Sequence, residues 1–278
     1  MTAPAGRMGR ISSAKLRSVR ARASERDLAV LRSVEVARLL SARHVERVHF
    51  SEGSPLTRAR RCRAVLQRLT DWGCLVRLER RIGGVHAGSA GYVYALAPFG
   101  QRLLHPGTER LRRVREPSAG FVDHVLATAE VWVRLVEAER SGRLQVDRFE
   151  FEPSCWRSFT GPSGALAWVK PDAKAELVVG EWEVHSFIEV DLDTESSTVI
   201  RNKAEAYAAY FRTGTEQDRI GLFPKVVFLV PDERRTARLV DTLARLDPEL
   251  WQLFQVVLLD EAVTALGSTG QALDQASG

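Results

Sequence analysis

Residues 169–195 read VKPDAKAELVVGEWEVHSFIEVDLDTE, and their alternation of apolar and polar positions decides the fold of the C-terminal half. Two strand-like runs meet at Gly180-Glu181, a dipeptide suited to a two-residue hairpin loop. With that loop, Val179 pairs with Trp182, Leu177 with Val184, and so on back to Asp172 with Glu189. One face of the hairpin then carries Asp172, Lys174 and Glu176 with Phe187, Glu189 and Asp191. The other carries Ala173, Ala175, Leu177, Val179, Val184, Ile188 and Val190, and is the expected core face. Like charges directly opposed across an antiparallel pair, with Cβ atoms about 5 Å apart, are destabilising. A proton, an arginine or a cation should compensate. Magnesium suits such a site, because it takes one or two carboxylates and completes its shell with water and phosphate oxygens. The alternative is a solvated sheet face with unremarkable charges, and a one-residue slip in the loop would undo the geometry.

Around this hairpin the acidic half reads as a helix over residues 120–140, then strands over 144–151, 168–179 and 183–191. A helix over 195–212, a strand over 226–230, a helix over 234–246 and a strand over 254–259 follow. Hairpins first and a crossover helix later imply a mixed sheet. On the 195–212 helix, Lys203 shares a face with Glu195, Val199 and Tyr207. It either serves the carboxylate site or simply pairs with an exposed acid. Tyr207 and Tyr210 admit a nucleophilic reading, but on an apolar face with Ala204, Ala208 and Phe211 the commoner place for them is the core.

Charge is divided unevenly along the 278 residues. Residues 1–118 carry 24 Lys and Arg against 9 Asp and Glu, and residues 119–278 carry 16 against 26, so +15 and −10 make up the net +5. Such asymmetry suggests two domains with different partners. In the basic half, residues 25–50 place Leu28, Leu31, Val34, Val36, Leu39 and Leu40 at helical spacing, and a second short helix opens at Ser41 with Val45 and Val48 inward. The segment LTRARRCRAVLQRLTDWGCL supports a third, with Ala59, Cys62, Leu66 and Leu69 as its stripe and Arg58, Arg60, Arg61, Arg63 and Arg68 elsewhere. Strands over 75–79 and 92–96 flank the Gly-rich RRIGGVHAGSAG. Three helices and a hairpin in this order describe a winged helix-turn-helix, with the arginine helix directed at a major groove. Arginines at these positions neutralise phosphates, and Arg80 and Arg81 at the base of the wing join them as candidate DNA contacts. A basic helix in a protein-binding module is the other reading.

The expected organisation is a disordered basic arm over 1–24, a winged helix over 25–105, a linker over 106–118, a mixed α/β domain over 119–264 and a disordered tail over 265–278. No apolar run is long enough for a membrane span. The first 24 residues lack the apolar core of a secretion signal, and three scattered cysteines form neither a disulfide framework nor a zinc site. A cytoplasmic location is the default expectation. No GxxxxGK[ST] motif supports nucleotide hydrolysis, and no His-x-His pair is present.

Pro171-Asp172, followed on the next strand by Glu189-Val190-Asp191, resembles the core motif of PD-(D/E)xK nucleases. More narrowly, the arginine helix with LVRLERR and GYVYAL, then His124, Glu130, Pro171-Asp172-Ala173 and FIEVDLDTE with KAEAYAAYF, resembles the replication-relaxation family of actinobacterial and plasmid proteins. The resemblance covers residues 25–230. It implies a winged helix joined to a restriction-endonuclease-like α/β domain, related to relaxases of the MobC type. It further implies Mg²⁺ or Mn²⁺ held by Asp172 and Glu189, with Asp191 and Glu130 as further ligands, and Lys203 as the catalytic lysine. Asp191 stands where such nucleases usually have lysine, so Lys203 would have to supply that role from the next helix. The expected function is double-stranded DNA binding in plasmid or mobile-element replication or mobilisation, with metal-dependent nicking and with replication or mobilisation proteins as partners. A non-enzymatic DNA-binding regulator with an inactive nuclease-like scaffold is the alternative.

Overall fold

A computed structural model describes residues 12–78, 92–108, 111 and 117–268, and the chain divides into two compact units, Met1–Val122 and Asp123–Gly278. Both mix helices with sheet.

In the first unit, α1 (Ser13–Arg22), α2 (Glu25–Ala37), β1 (Leu39–Ser41), α3 (Ala42–His49) and α4 (Pro55–Asp71) precede β2 (Leu75–Leu78), β3 (Val93–Leu96) and α5 (Pro98–Leu104). Serine side chains cap the first four helices: Ser12, Ser24, Ser41 and Ser54 each accept a backbone N–H of the first turn. The three strands form an antiparallel sheet in the order β1-β3-β2. Val30, Leu31 and Val34 of α2, Val45 of α3, and Cys62, Leu66 and Leu69 of α4 are buried.

Several expectations change here. Residues 13–22 form a helix rather than a disordered arm. Helix α2 stops at Ala37 because Arg38 turns to φ 65°, and this sends Leu39 and Leu40 into β1 instead of a further helical turn. Val36 is 52% exposed and lies off the apolar stripe. The expected wing segment with Arg80 and Arg81, most of the 106–118 segment and all but the first residues of the 265–278 tail lie outside the described residues.

Helix α6 (Ala119–Arg140) begins four residues before the division, and the second unit holds the rest of it with β4 (Gln145–Phe151), β5 (Arg157–Thr160), β6 (Leu166–Val169), β7 (Ala173–Val179) and β8 (Trp182–Val190). Then come α7 (Ser197–Arg212), α8 (Thr215–Ile220), β9 (Lys225–Val230), α9 (Glu233–Leu243), β10 (Phe254–Leu258) and α10 (Ala262–Leu266). Five strands run in the order β10-β9-β8-β7-β4; β4, β7 and β8 are antiparallel neighbours, and β8, β9 and β10 are parallel. The register of β7 on β8 is the one read from the sequence: Ala173 faces Ile188 and Val179 faces Trp182 across Gly180-Glu181. Gly180 adopts φ 60°, as the first central position of a type II′ turn requires.

Both faces of this sheet are covered. Ala173, Ala175, Leu177, Ile188 and Val190 pack with Val131 and Leu135 of α6 and with Ala262 and Leu266 of α10. The opposite face, read from sequence as the one outside the core, is buried too. There Phe187, Val226, Phe228 and Val230 lie with Ile200, Ala204, Tyr207 and Tyr210 of α7 and Leu239 and Leu243 of α9. The expected strand over 168–179 is broken at Lys170-Pro171-Asp172, and its first part pairs with β5 in a separate hairpin.

In the first unit, Asp27 is 1% exposed and completes a capping box with Ser24, and its other oxygen accepts Arg68 at 2.5 Å. Arg68 also lies 5.6 Å from the Trp72 ring centroid. Asp27→Ala should therefore destabilise this unit by about 1–3 kcal/mol, the lower part of the range reflecting the partly exposed Arg68 left behind. Arg60→Ala, on the exposed side of α4, should stay within about 0.5 kcal/mol of the parent in the same urea unfolding measurement.

Candidate functional site

The hairpin register delivers Asp172 and Glu189 to one place, and two helices from opposite faces meet them. Asp172 sits just before β7; its N–H donates to the Ile188 carbonyl at 3.0 Å. Its Oδ2 accepts the Val190 N–H at 2.7 Å, and its Oδ1 lies 2.9 Å from His124 Nε2 of α6. Glu189 is 2% exposed. Its Oε1 accepts the Tyr207 hydroxyl at 2.6 Å and its Oε2 accepts Lys203 Nζ at 2.8 Å. Lys203 also reaches Glu195 Oε1 at 2.9 Å. Lys203 and Tyr207 are one helical turn apart on α7, so one face of that helix supplies both donors to Glu189.

The electrostatics follow from burial. Burial pushes the Glu189 carboxyl up to about 7, Lys203 pulls against this, and the Asp172 charge adds to the rise. Burial opposes the charge of Lys203, but the Glu189 and Glu195 carboxylates together outweigh it and raise Lys203 above its ordinary value. The hydrogen bond to Asp172 raises His124, against burial. Burial and the neighbouring Glu189 push the Tyr207 hydroxyl well above its ordinary range, the opposite of what a phenolate nucleophile needs. Tyr207, like Tyr210, is a core residue.

The other expected ligands are engaged elsewhere. Asp191 is 2% exposed and paired with the buried Arg235 of α9, whose Nε donates to Asp191 Oδ2 at 2.8 Å. An arginine thus already supplies the compensating charge for Asp191. Glu130 accepts Arg134 Nε at 2.8 Å one turn along α6. Among the described residues, no group of three or more His, Cys, Asp or Glu side chains is arranged to hold a metal ion. The donors brought together are thus Asp172 and Glu189, with Glu195 nearby through Lys203; the Glu195 Oε2 atom is buried without a hydrogen-bond partner.

In the first unit, Arg60, Arg61 and Arg63 are exposed on α4. Arg58 is half-buried, 4.0 Å from Glu46, and Arg68 is committed to Asp27 and Trp72. Arg68 thus braces Asp27 and Trp72 with a side chain that is still 40% exposed. Sequence reading did not assign His124 to Asp172 or Arg235 to Asp191, because each lies on a distant helix. The only signal available was that a buried carboxylate needs a partner, which does not say where the partner comes from.

The replication-relaxation family matches residues 31–226, most of both units, and the chain belongs to that family. No curated protein and no solved structure matches it. Among the described residues no helix is long and apolar enough to cross a membrane.

Because Glu189 is raised, this carboxyl is more fully protonated in the folded unit than in the unfolded chain between about pH 4.5 and 7. The contribution of this group to stability is full below about 4.5 and is lost as pH rises through about 7. Glu189→Gln, which cannot titrate, should remove this loss, so its stability relative to the parent should improve by on the order of 1–3 kcal/mol from pH 5 to 7.5. Urea unfolding of both proteins across that range reads the difference; an unchanged gap would show that Glu189 is ionised throughout as an ion pair with Lys203.

Proposed function

We propose that the protein binds double-stranded DNA in plasmid or mobile-element replication or mobilisation, the first unit acting as a winged helix-turn-helix. The observation that carries this reading is α4. It presents Arg60, Arg61 and Arg63 to solvent while Cys62, Val65, Leu66 and Leu69 hold its other side in the core. Three exposed guanidiniums on a helix packed behind a three-stranded sheet suit phosphate neutralisation along a groove. Membership of the replication-relaxation family supports the setting. Duplex affinity should fall about 10- to 100-fold when Arg60, Arg61 and Arg63 become Ala, and the slope of log K against log salt should shrink by about 2–3. Fluorescence anisotropy in a salt series measures both, and unchanged binding would favour a protein partner for this helix.

For the second unit the geometry supports metal-dependent phosphodiester cleavage, on the observation that the Asp172 carboxylate, bonded to the Val190 N–H, lies beside Glu189, which is bonded to Lys203. Two carboxylates meet the usual requirement of magnesium, which fills its remaining positions with water and phosphate oxygens. Asp172 and Glu189 would hold Mg²⁺ or Mn²⁺, and the ion would polarise a phosphate and acidify a water. Lys203 stays protonated beside Glu189 and offers positive charge to a phosphate. His124 fixes one oxygen of Asp172, and the Val190 N–H fixes the other. Tyr207 orients Glu189 from within the core. Calorimetry of the full chain should detect Mn²⁺ uptake that Asp172→Ala abolishes, and supercoiled plasmid should be nicked by the parent alone. Equal behaviour of the two proteins in both assays would make the unit a non-enzymatic scaffold.

A further inference from the structure

Beyond the carboxylate pair, the loop that follows β8 holds an unusual concentration of arginine. Asp193 is gripped by three guanidiniums from α9: Arg234 reaches its Oδ2 at 3.0 Å, Arg235 lies 3.2 Å from its Oδ1, and Arg238 donates to the same oxygen. Arg235 is buried and simultaneously binds Asp191 and the Glu195 carbonyl, the latter at 2.7 Å. It is therefore a structural post. Arg234 and Arg238 are different, with side chains 75% and 45% exposed. Holding a loop does not need them: exposed ion pairs contribute little, and a buried arginine already ties this loop to α9. The three guanidiniums outnumber the two carboxylates they contact, and Asp232 engages its own carboxylate in capping α9. Asp193 itself adopts φ 63°, a left-handed conformation that few residues other than glycine, asparagine and aspartate tolerate. Its N–H is held by Asp191 Oδ1 at 2.9 Å.

The location is informative as well. The Asp193 loop leaves the carboxyl end of β8, and α9 enters from the carboxyl end of the adjacent parallel strand β9. Crevices at the carboxyl ends of parallel strands are where open α/β sheets bind ligands. The same loop continues to Glu195, whose side chain contacts Lys203 and through it Glu189. A group bound to the arginines would thus lie a few residues along the chain from the carboxylate centre.

We propose that Arg234, Arg235 and Arg238 form a binding site for a nucleic-acid backbone phosphate, and that Asp193 occupies it as an internal stand-in when no nucleic acid is bound. A carboxylate and a phosphodiester both present oxygens that guanidinium groups grip in the same manner, so one can replace the other. When a phosphate enters, Asp193 swings out to solvent and the exposed arginines transfer their hydrogen bonds to the incoming oxygens. The clamp thereby anchors the strand next to Asp172 and Glu189, and Asp193 sets a threshold that weak or misplaced anions do not cross. This rests on the DNA-binding reading above and extends it to the second unit.

The test uses the full chain, a fluorescein-labelled duplex in a salt series, and the variants Asp193→Asn and Arg234→Ala/Arg238→Ala. Asparagine keeps the left-handed backbone and removes only the competing charge. Asp193→Asn should tighten duplex binding about 3-fold or more, and the double arginine variant should weaken it about 10-fold with a salt slope smaller by about 1–2. Arg234→Lys/Arg238→Lys should recover part of that loss, which separates charge from folding defects. If the α4 arginine variant loses duplex affinity while all the clamp variants bind like the parent, the DNA reading stands and the clamp is overturned. If the parent binds no duplex, inorganic phosphate decides. A rise in melting temperature of Asp193→Asn in phosphate over chloride at equal ionic strength, abolished by adding Arg234→Ala/Arg238→Ala, would retain the phosphate site without DNA. No such rise would overturn it.

Discussion

A carboxylate sealed among Phe187, Tyr207 and the apolar flank of α7 is costly to ionise, and this cost organises the second unit. Glu189 cannot be solvated, so its two oxygens must be satisfied by side chains of the same unit. Helix α7 provides both, Lys203 and Tyr207, from positions one turn apart. That fixes the rotation of α7 about its axis, which in turn places Ile200 and Ala204 on Phe187 and Phe228. Lys203, drawn toward Glu189, is shared with Glu195 at the start of the crossover. The chain of contacts from strand to helix to loop thus begins with one buried acid.

The sheet supplies the frame that makes this possible. Its antiparallel part, β4, β7 and β8, brings Asp172 and Glu189 together through a hairpin, and its parallel part sets the loops after β8 and β9 side by side. Asp191 and Asp193 meet Arg235 because of the second arrangement alone. Glu189 and Asp191, two residues apart, share a strand face yet answer to different helices. In the first unit the same logic appears on a smaller scale: buried Asp27 takes Arg68 from the arginine-rich helix, and the arginines of α4 divide into those that pack and those that face water.

Much of the hairpin was legible because its code is local. A glycine at a two-residue turn and strict alternation fix the register from Ala173 opposite Ile188 to Val179 opposite Trp182. Helices α2, α3, α4, α6, α7 and α9 were visible in their apolar spacing for a similar reason, whereas the short α5, α8 and α10 were not. Other features were not. Lys170-Pro171-Asp172 ends one strand and begins another, although the apolar pattern runs on across it. Residues 13–22, with only Val19 buried, carry too little apolar patterning to announce α1.

Sequence alone determined the pairing of β7 with β8, the division between a basic and an acidic half, and the family to which the chain belongs. Only the tertiary structure decided that both faces of the sheet are covered, that Asp191 belongs to Arg235, and that His124 belongs to Asp172. Strand register is written in neighbouring residues, and periodicity reports it. The partner of a buried charge is chosen by which distant helix the fold carries past it, and that choice leaves no trace in local pattern.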